Sequence, residues 1–174
     1  MALVLVQEYG LGFDTANSYA AVQDGDDYHE GHLYASAWTA ATAERKAAAL
    51  VMATRVIDTM TRFYGVKATA AQALQWPRED CPDPNAPGEV LDNDLVPATV
   101  LAAACELARE LLLVDRTAAP PGEGIEKQHN ADYSETVYSK EDTRPMLPWL
   151  VQAMLAPYGD PVAGGMGTTK LIRV

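Results

Sequence analysis

Histidines and carboxylates are the first places to look for chemistry in this sequence. His29-Glu30-Gly31-His32 sets two imidazoles three residues apart, with Asp26 and Asp27 just upstream. A zinc-hydrolase helix needs its two His four apart so that both rings face one metal. Here the spacing is three and a glycine intervenes. Asp24-Gly-Asp-Asp27 lacks the alternating ligands and the closing Glu of a calcium loop. The stretch is expected to be a solvated acidic helix end, not a metal site. No Walker phosphate loop and no Gly-x-Ser-x-Gly elbow occur, and Gly164-Gly-Met-Gly167 neither follows a firm strand nor opens a helix. Acidic pairs are frequent, but among 24 Asp and Glu adjacency carries little information, and a solvated face explains it. We expect no catalytic residue, no metal and no cofactor: not an enzyme.

Nucleic-acid chemistry needs cations and aromatics together. Trp38, Trp76, Trp149 and eight tyrosines are available for stacking. Arg45, Lys46, Arg55 and Arg62 are expected along one helix, diluted by Glu44 and Asp58. Thirteen Lys and Arg against 24 acids leave a net charge of −11, which excludes a basic clamp spread over the surface, because each phosphate contact needs a cation. It does not exclude a protein that merely surrounds DNA. Trp38 and Trp149 are expected to anchor helix packing. Cys105, in the apolar run Val100 to Val114, reads as a small buried hydrophobe, whereas Cys81 lies in a proline-rich loop, open to solvent or not. A disulfide between them is open to the chain but unnecessary, and reducing cytoplasm is the default compartment.

These residues must be positioned by about one domain's worth of chain, at 174 residues. The apolar start from Met1 to Val6 lacks a cationic leader and ends at Glu8, and no apolar run reaches the roughly 18 residues that span a bilayer, so we expect a soluble, unexported protein with no membrane partner. Leu3 to Gln7 is β-prone. Asn17 and Ser18 look like a helix cap ahead of Tyr19 to about His29, with Gly25 an awkward interior residue. Thr42 to Met60 is the best helix of the N-terminal half, with Leu50, Thr54, Ile57 and Thr61 on one face and Gly65 as its stop. Thr69-Ala-Ala-Gln72 has capping-box form and predicts a one- or two-turn helix before Trp76-Pro77.

Residues 77–97 form a long proline-rich loop. Pro97 then opens the core helix, whose buried stripe is Val100, Leu101, Ala104, Leu107, Ala108, Leu111 and Leu112, with Glu106, Arg109 and Glu110 facing away. Residues 125–139 read as a short β-hairpin, and Pro145 to Tyr158 as a last amphipathic helix. A flexible linker follows, then Thr168 to Val174, β-prone and basic. The fold class expected is mainly α: a small helical bundle over 1–158 with the long loop and the hairpin, and a C-terminal tail over 159–174 carrying a terminal strand able to add to a neighbour.

Several pieces then combine. Ala16-Asn17-Ser18-Tyr19, Trp38, Ala49-Leu50 through Asp58, Gly65, Gln72-Ala-Leu-Gln-Trp76-Pro77-Arg78 and Val96-Pro97 follow one another in order. Together, from about residue 3 to residue 116, they resemble the head–tail adaptor (head-completion) proteins of long-tailed bacteriophages, chains also labelled DnaT-like single-stranded-DNA-binding proteins. The resemblance implies a helical protomer, about twelve copies of which form a ring under the portal at the virion's head–tail junction. The ring is assembled in the host cytoplasm, continues the DNA channel without specific DNA binding, and docks the next neck or tail-terminator protein. The alternative is a single-stranded-DNA-binding protein of phage replication. By the family pattern Trp76, Pro77 and Arg78 mark the mouth of the long loop and are expected at an interface, with Trp76 a fold or interface anchor and the loop from Arg78 to Val96 meeting a neighbouring protomer or ring. Lys170, Leu171, Ile172, Arg173 and Val174 are expected to dock on another subunit, the portal first.

Overall fold

The computed structural model describes residues 3–118, 127–129, 135–137 and 144–162. Five helices form in order: α1 (Val22–Glu30), α2 (Ser36–Thr39), α3 (Ala43–Met60), α4 (Ala98–Leu113) and α5 (Trp149–Leu155). Six strands of two or three residues make three antiparallel pairs: β1 (Thr61–Phe63) with β6 (Gly159–Pro161), β2 (Val66–Lys67) with β3 (Arg78–Glu79), and β4 (Lys127–His129) with β5 (Glu135–Val137). The last pair falls where the hairpin is expected. The terminal strand expected over 168–174 lies outside the described residues.

α3 and α4 form the centre. Their buried faces are rich in small residues, Ala49 and Ala53 on α3 against Ala103, Ala104 and Ala108 on α4, so the two backbones approach closely. Leu50, Ile57, Val100 and Leu107 fill the seam, and Val151 and Leu155 of α5 close it. Thr42 caps α3 as expected, its Oγ1 accepting from the Arg45 N–H at 3.4 Å. The helix does not stop at Gly65, however; it runs directly into β1. Gly65 sits in the β1–β2 turn at φ +69°, where a Cβ would lie 2.2 Å from the Glu79 carbonyl oxygen. Only glycine fits there.

The N-terminal segment makes no strand of its own. It is tied by a single parallel bridge between Gln7 and Ser18, and Asn17 serves it instead of capping a helix. The Asn17 side chain accepts from the Val6 N–H at 2.9 Å and donates to the Val4 carbonyl at 2.8 Å. α1 consequently starts at Val22, three residues later than expected, with the Asp24 carboxylate accepting the Ala21 N–H at 2.8 Å.

The Thr69–Gln72 box closes with both reciprocal bonds, at 2.8 and 3.2 Å, yet no helix follows. The Gln72 amide instead donates to the Leu74 and Pro77 carbonyls at 3.0 and 2.9 Å, which folds the segment back on itself. On α4 the expected outer face is also wrong: Glu106 and Arg109 are buried, while Leu113 is 60% exposed. Trp149, expected as a packing anchor, is 78% exposed. Cys81 and Cys105 are both buried free thiols. No helix among the described residues is long and apolar enough to cross a membrane.

Gly25 explains itself through Trp38. The indole lies directly over it, and a Cβ at Gly25 would sit 2.3 Å from Trp38 Cζ2. Alanine improves helix propensity by about 1 kcal/mol, but overpacking a rigid buried indole costs about 1–3 kcal/mol, so the clash wins. Gly25→Ala is expected to lower the urea midpoint without changing the slope; an unchanged or raised midpoint would contradict this packing.

Candidate functional site

Three of the sequence pieces behind the resemblance converge on one place. The Tyr19 hydroxyl donates to Asp58 Oδ1 and accepts from the Trp76 N–H at 3.3 Å. Asp58 Oδ2 accepts from the Gln75 N–H at 3.0 Å, and the Tyr19 N–H donates to Thr54 Oγ1 at 3.1 Å. Three distant stretches are thereby joined by one phenol and one carboxylate. Burial pushes the Asp58 carboxyl up to about 6, against the opposing hydrogen bonds from Tyr19 and Gln75. Burial and the neighbouring Asp58 push the Tyr19 phenol well above its ordinary value.

Trp76 is fully enclosed, with Phe63 and Tyr158 edge-on at 5.7 and 5.9 Å, and the Trp76–Pro77 peptide is cis. Arg78 is buried as well. Its Nε donates to the Tyr64 carbonyl at 2.6 Å, Nη2 to the Gly65 and Phe63 carbonyls at 2.7 and 3.3 Å, and Nη1 to the Gln75 carbonyl and side-chain oxygens at 2.9 and 3.1 Å. Trp76, Pro77 and Arg78 thus lie inside the protomer. All three side chains are buried within the described fold. The tail residues Lys170 to Val174 lie outside the described residues.

Around this hub the surface is grooved. A cleft of about 390 Å³ is lined by Asn17, Val51, Arg55, Asp58 and Gln75. It shares Asp58, Thr59 and Gln75 with a second of about 280 Å³ that adds Arg62, Arg78 and Val162. A third, of about 200 Å³, lies further along α3 between Arg45, Met52 and Leu112. Each holds one exposed arginine: Arg55, Arg62 and Arg45 respectively. Ten helical residues separate Arg45 from Arg55, about 15 Å. The only aromatic ring lining any of the three is the buried Phe63.

The remaining candidates disperse. Asp26 accepts from Trp38 Nε1 at 2.8 Å and pairs with Lys46 Nζ at 2.6 Å, which holds its carboxyl below the usual range. His29 Nε2 meets the Cys105 carbonyl at 3.1 Å, and burial pushes the His29 imidazole down. His32 Nε2 lies 3.6 Å from Glu106 Oε2. Among the described residues no group of three His, Cys, Asp or Glu is placed to hold a metal ion. Two features were missed in the sequence. Glu8 is buried, its carboxylate accepting the N–H groups of Gly10, Gly12 and Phe13 at 2.8, 3.0 and 2.7 Å; the Glu-x-Gly-x-Gly spacing was the available signal. Glu106, Arg109, Glu110 and Arg116 form a charge ladder at the end of α4.

Over residues 1–174 the sequence matches the family described as "Putative DnaT-like ssDNA binding protein". The chain belongs to that family. No curated protein and no solved structure matches it. Of the two functions implied by the resemblance, the family description speaks for single-stranded-DNA binding and not for the adaptor role. For the residues that carry the resemblance the geometry gives a structural part: Tyr19, Asp58, Gln72, Trp76 and Arg78 all bond inward.

Trp76→Ala is expected to cost about 3–5 kcal/mol of unfolding free energy, read by urea denaturation; a loss below 1 kcal/mol would contradict the hub. Asp58 adds a pH test. Its folded value lies above the ordinary 3.8, so its contribution is full below that pH and is lost as pH rises through about 6. Between pH 4 and pH 6 wild type should lose about 2 kcal/mol relative to Asp58→Asn. A pH-independent difference would show that the carboxyl titrates normally.

Proposed function

We propose that this chain is a structural subunit that borders DNA without gripping it: a head–tail adaptor of a long-tailed phage, forming a ring below the portal and docking the next neck protein. What supports the reading is the placement of its cations. Lys46, Arg109 and Arg116 pair with carboxylates, and Lys67, Arg78 and Arg144 donate to backbone carbonyls. Of the nine Lys and Arg whose side chains are described, only Arg45, Arg55 and Arg62 donate to no described group. Three cations on a surface dominated by acids suit a conduit wall, where a polyanion slides more freely past repulsion than past counterion-releasing contacts. The ring, the portal and the docking of Lys170 to Val174 belong to this proposal.

The family description favours a second reading, a single-stranded-DNA binder, and the three grooves along α3 are where it would act. That reading predicts binding of short oligothymidine that persists at about 0.15 M salt, with a log–log salt slope near −2 for three phosphates. The adaptor reading predicts no measurable binding at that salt by fluorescence anisotropy. Tight binding there, lost in an Arg45→Ala/Arg55→Ala/Arg62→Ala protein, would overturn the adaptor in favour of the binder.

A further inference from the structure

Folding leaves two opposite charge features unmatched. The first is a set of three arginines, Arg45, Arg55 and Arg62, each exposed and each in a groove, the last two in grooves that adjoin. The second is the segment 79–94, which carries Glu79, Asp80, Asp83, Glu89, Asp92 and Asp94 and no Lys or Arg. Five of those six acids are exposed and Asp83 is half-buried. The segment is not a loose loop. Pro82 bridges Val90 antiparallel, the Leu91 N–H donates to the Cys81 carbonyl at 2.8 Å, and the Asp83 N–H to the Glu89 carbonyl at 3.0 Å. The Glu89 N–H donates to Ala86 at 3.0 Å and the Asn85 N–H to Asp83 Oδ1 at 2.8 Å, closing the tip. The result is a finger closed by backbone bonds from Cys81 to Leu91, with its carboxylates turned mostly to solvent.

None of the ion pairs among the described residues joins this finger to the arginines or to any other cation. We propose that the acidic finger of one copy docks along the Arg45–Arg55–Arg62 grooves of the next copy, a contact that rests on the ring-forming reading. Charge complementarity selects this occupant: the chain has a surplus of acids, and the three arginines that donate to no described group find in the finger an acidic partner. The two surfaces differ, so the contact is head-to-tail. Such contacts close into a ring or continue as a filament; they do not stop at a two-fold dimer. Rim charges of this kind set register and partner choice more than raw affinity.

Sedimentation of the full chain at low salt tests it with two charge-reversed proteins, Arg55→Glu/Arg62→Glu and Glu89→Lys/Asp92→Lys. All four positions are exposed, and circular dichroism checks that both variants fold. Wild type should associate with increasing concentration and dissociate with added salt. Each variant alone should associate at least about tenfold more weakly, and an equimolar mixture should recover association, since the reversed groove meets the reversed finger. A wild type that stays monomeric overturns the proposal. So does association that ignores both reversals, which would leave the ring reading standing with another interface. Loss of oligothymidine binding by the arginine variant, with self-association intact, would assign the grooves to DNA instead.

Discussion

The Arg78 guanidinium is buried, and its five hydrogen bonds go to oxygens of Phe63, Tyr64, Gly65 and Gln75, with no carboxylate of the described residues within ion-pair distance. A cation removed from water in this way is tolerable only because carbonyl dipoles surround it. The β1–β2 turn must therefore curl around the guanidinium, which is why Gly65 occupies its left-handed conformation. Residues 75–79 must return alongside that turn, which brings the Trp76 indole between Phe63 and Tyr158 and the Gln75 and Trp76 N–H groups onto Asp58 and Tyr19. α1, α3, the long loop and the α5–β6 corner are all referred to this one position.

The same choice sets the character of the surface. A cation that holds loops together inside the domain is unavailable to phosphates outside it, and the pattern repeats with Arg109 on buried Glu106 and Lys46 on Asp26. Carboxylates, in contrast, accumulate outside, most densely on the finger between Glu79 and Asp94. Interior order and exterior repulsion thus come from one distribution of charge. The adaptor we propose would meet DNA as a neighbour and not as a ligand, leaving its few outer arginines for acidic protein.

The long periodic elements were legible in the sequence because propensity, cap and apolar stripe agree in them. α3 begins at Thr42 as its cap predicts, and the stripe Leu50, Thr54, Ile57, Thr61 is buried. α4 begins after Pro97. Where tertiary contacts override local signals, the reading failed. The Thr69–Gln72 bonds form without a helix because Gln72 is recruited by Pro77. Glu106 and Arg109 are buried because the charge ladder of Glu106, Arg109, Glu110 and Arg116 satisfies groups that periodicity alone assigns to solvent, and Trp149 is exposed at the first turn of α5. Cys81 is buried by the finger's closure, which no local pattern announces. Of the site, Trp76 and Arg78 were singled out by their order in the chain, but their inward direction was invisible, since it depends on Tyr19 and Asp58 far away in sequence.

On the proposed adaptor reading the chain is a wall element, with neighbours registered by charge and a polyanion passing by. The most direct measurement is an electron-microscopy map of purified particles, read together with their protein composition. The account predicts a closed ring of this chain immediately below the portal, with α3 of each copy against the 79–94 finger of the next. Particles whose necks contain no copy of the chain would contradict it.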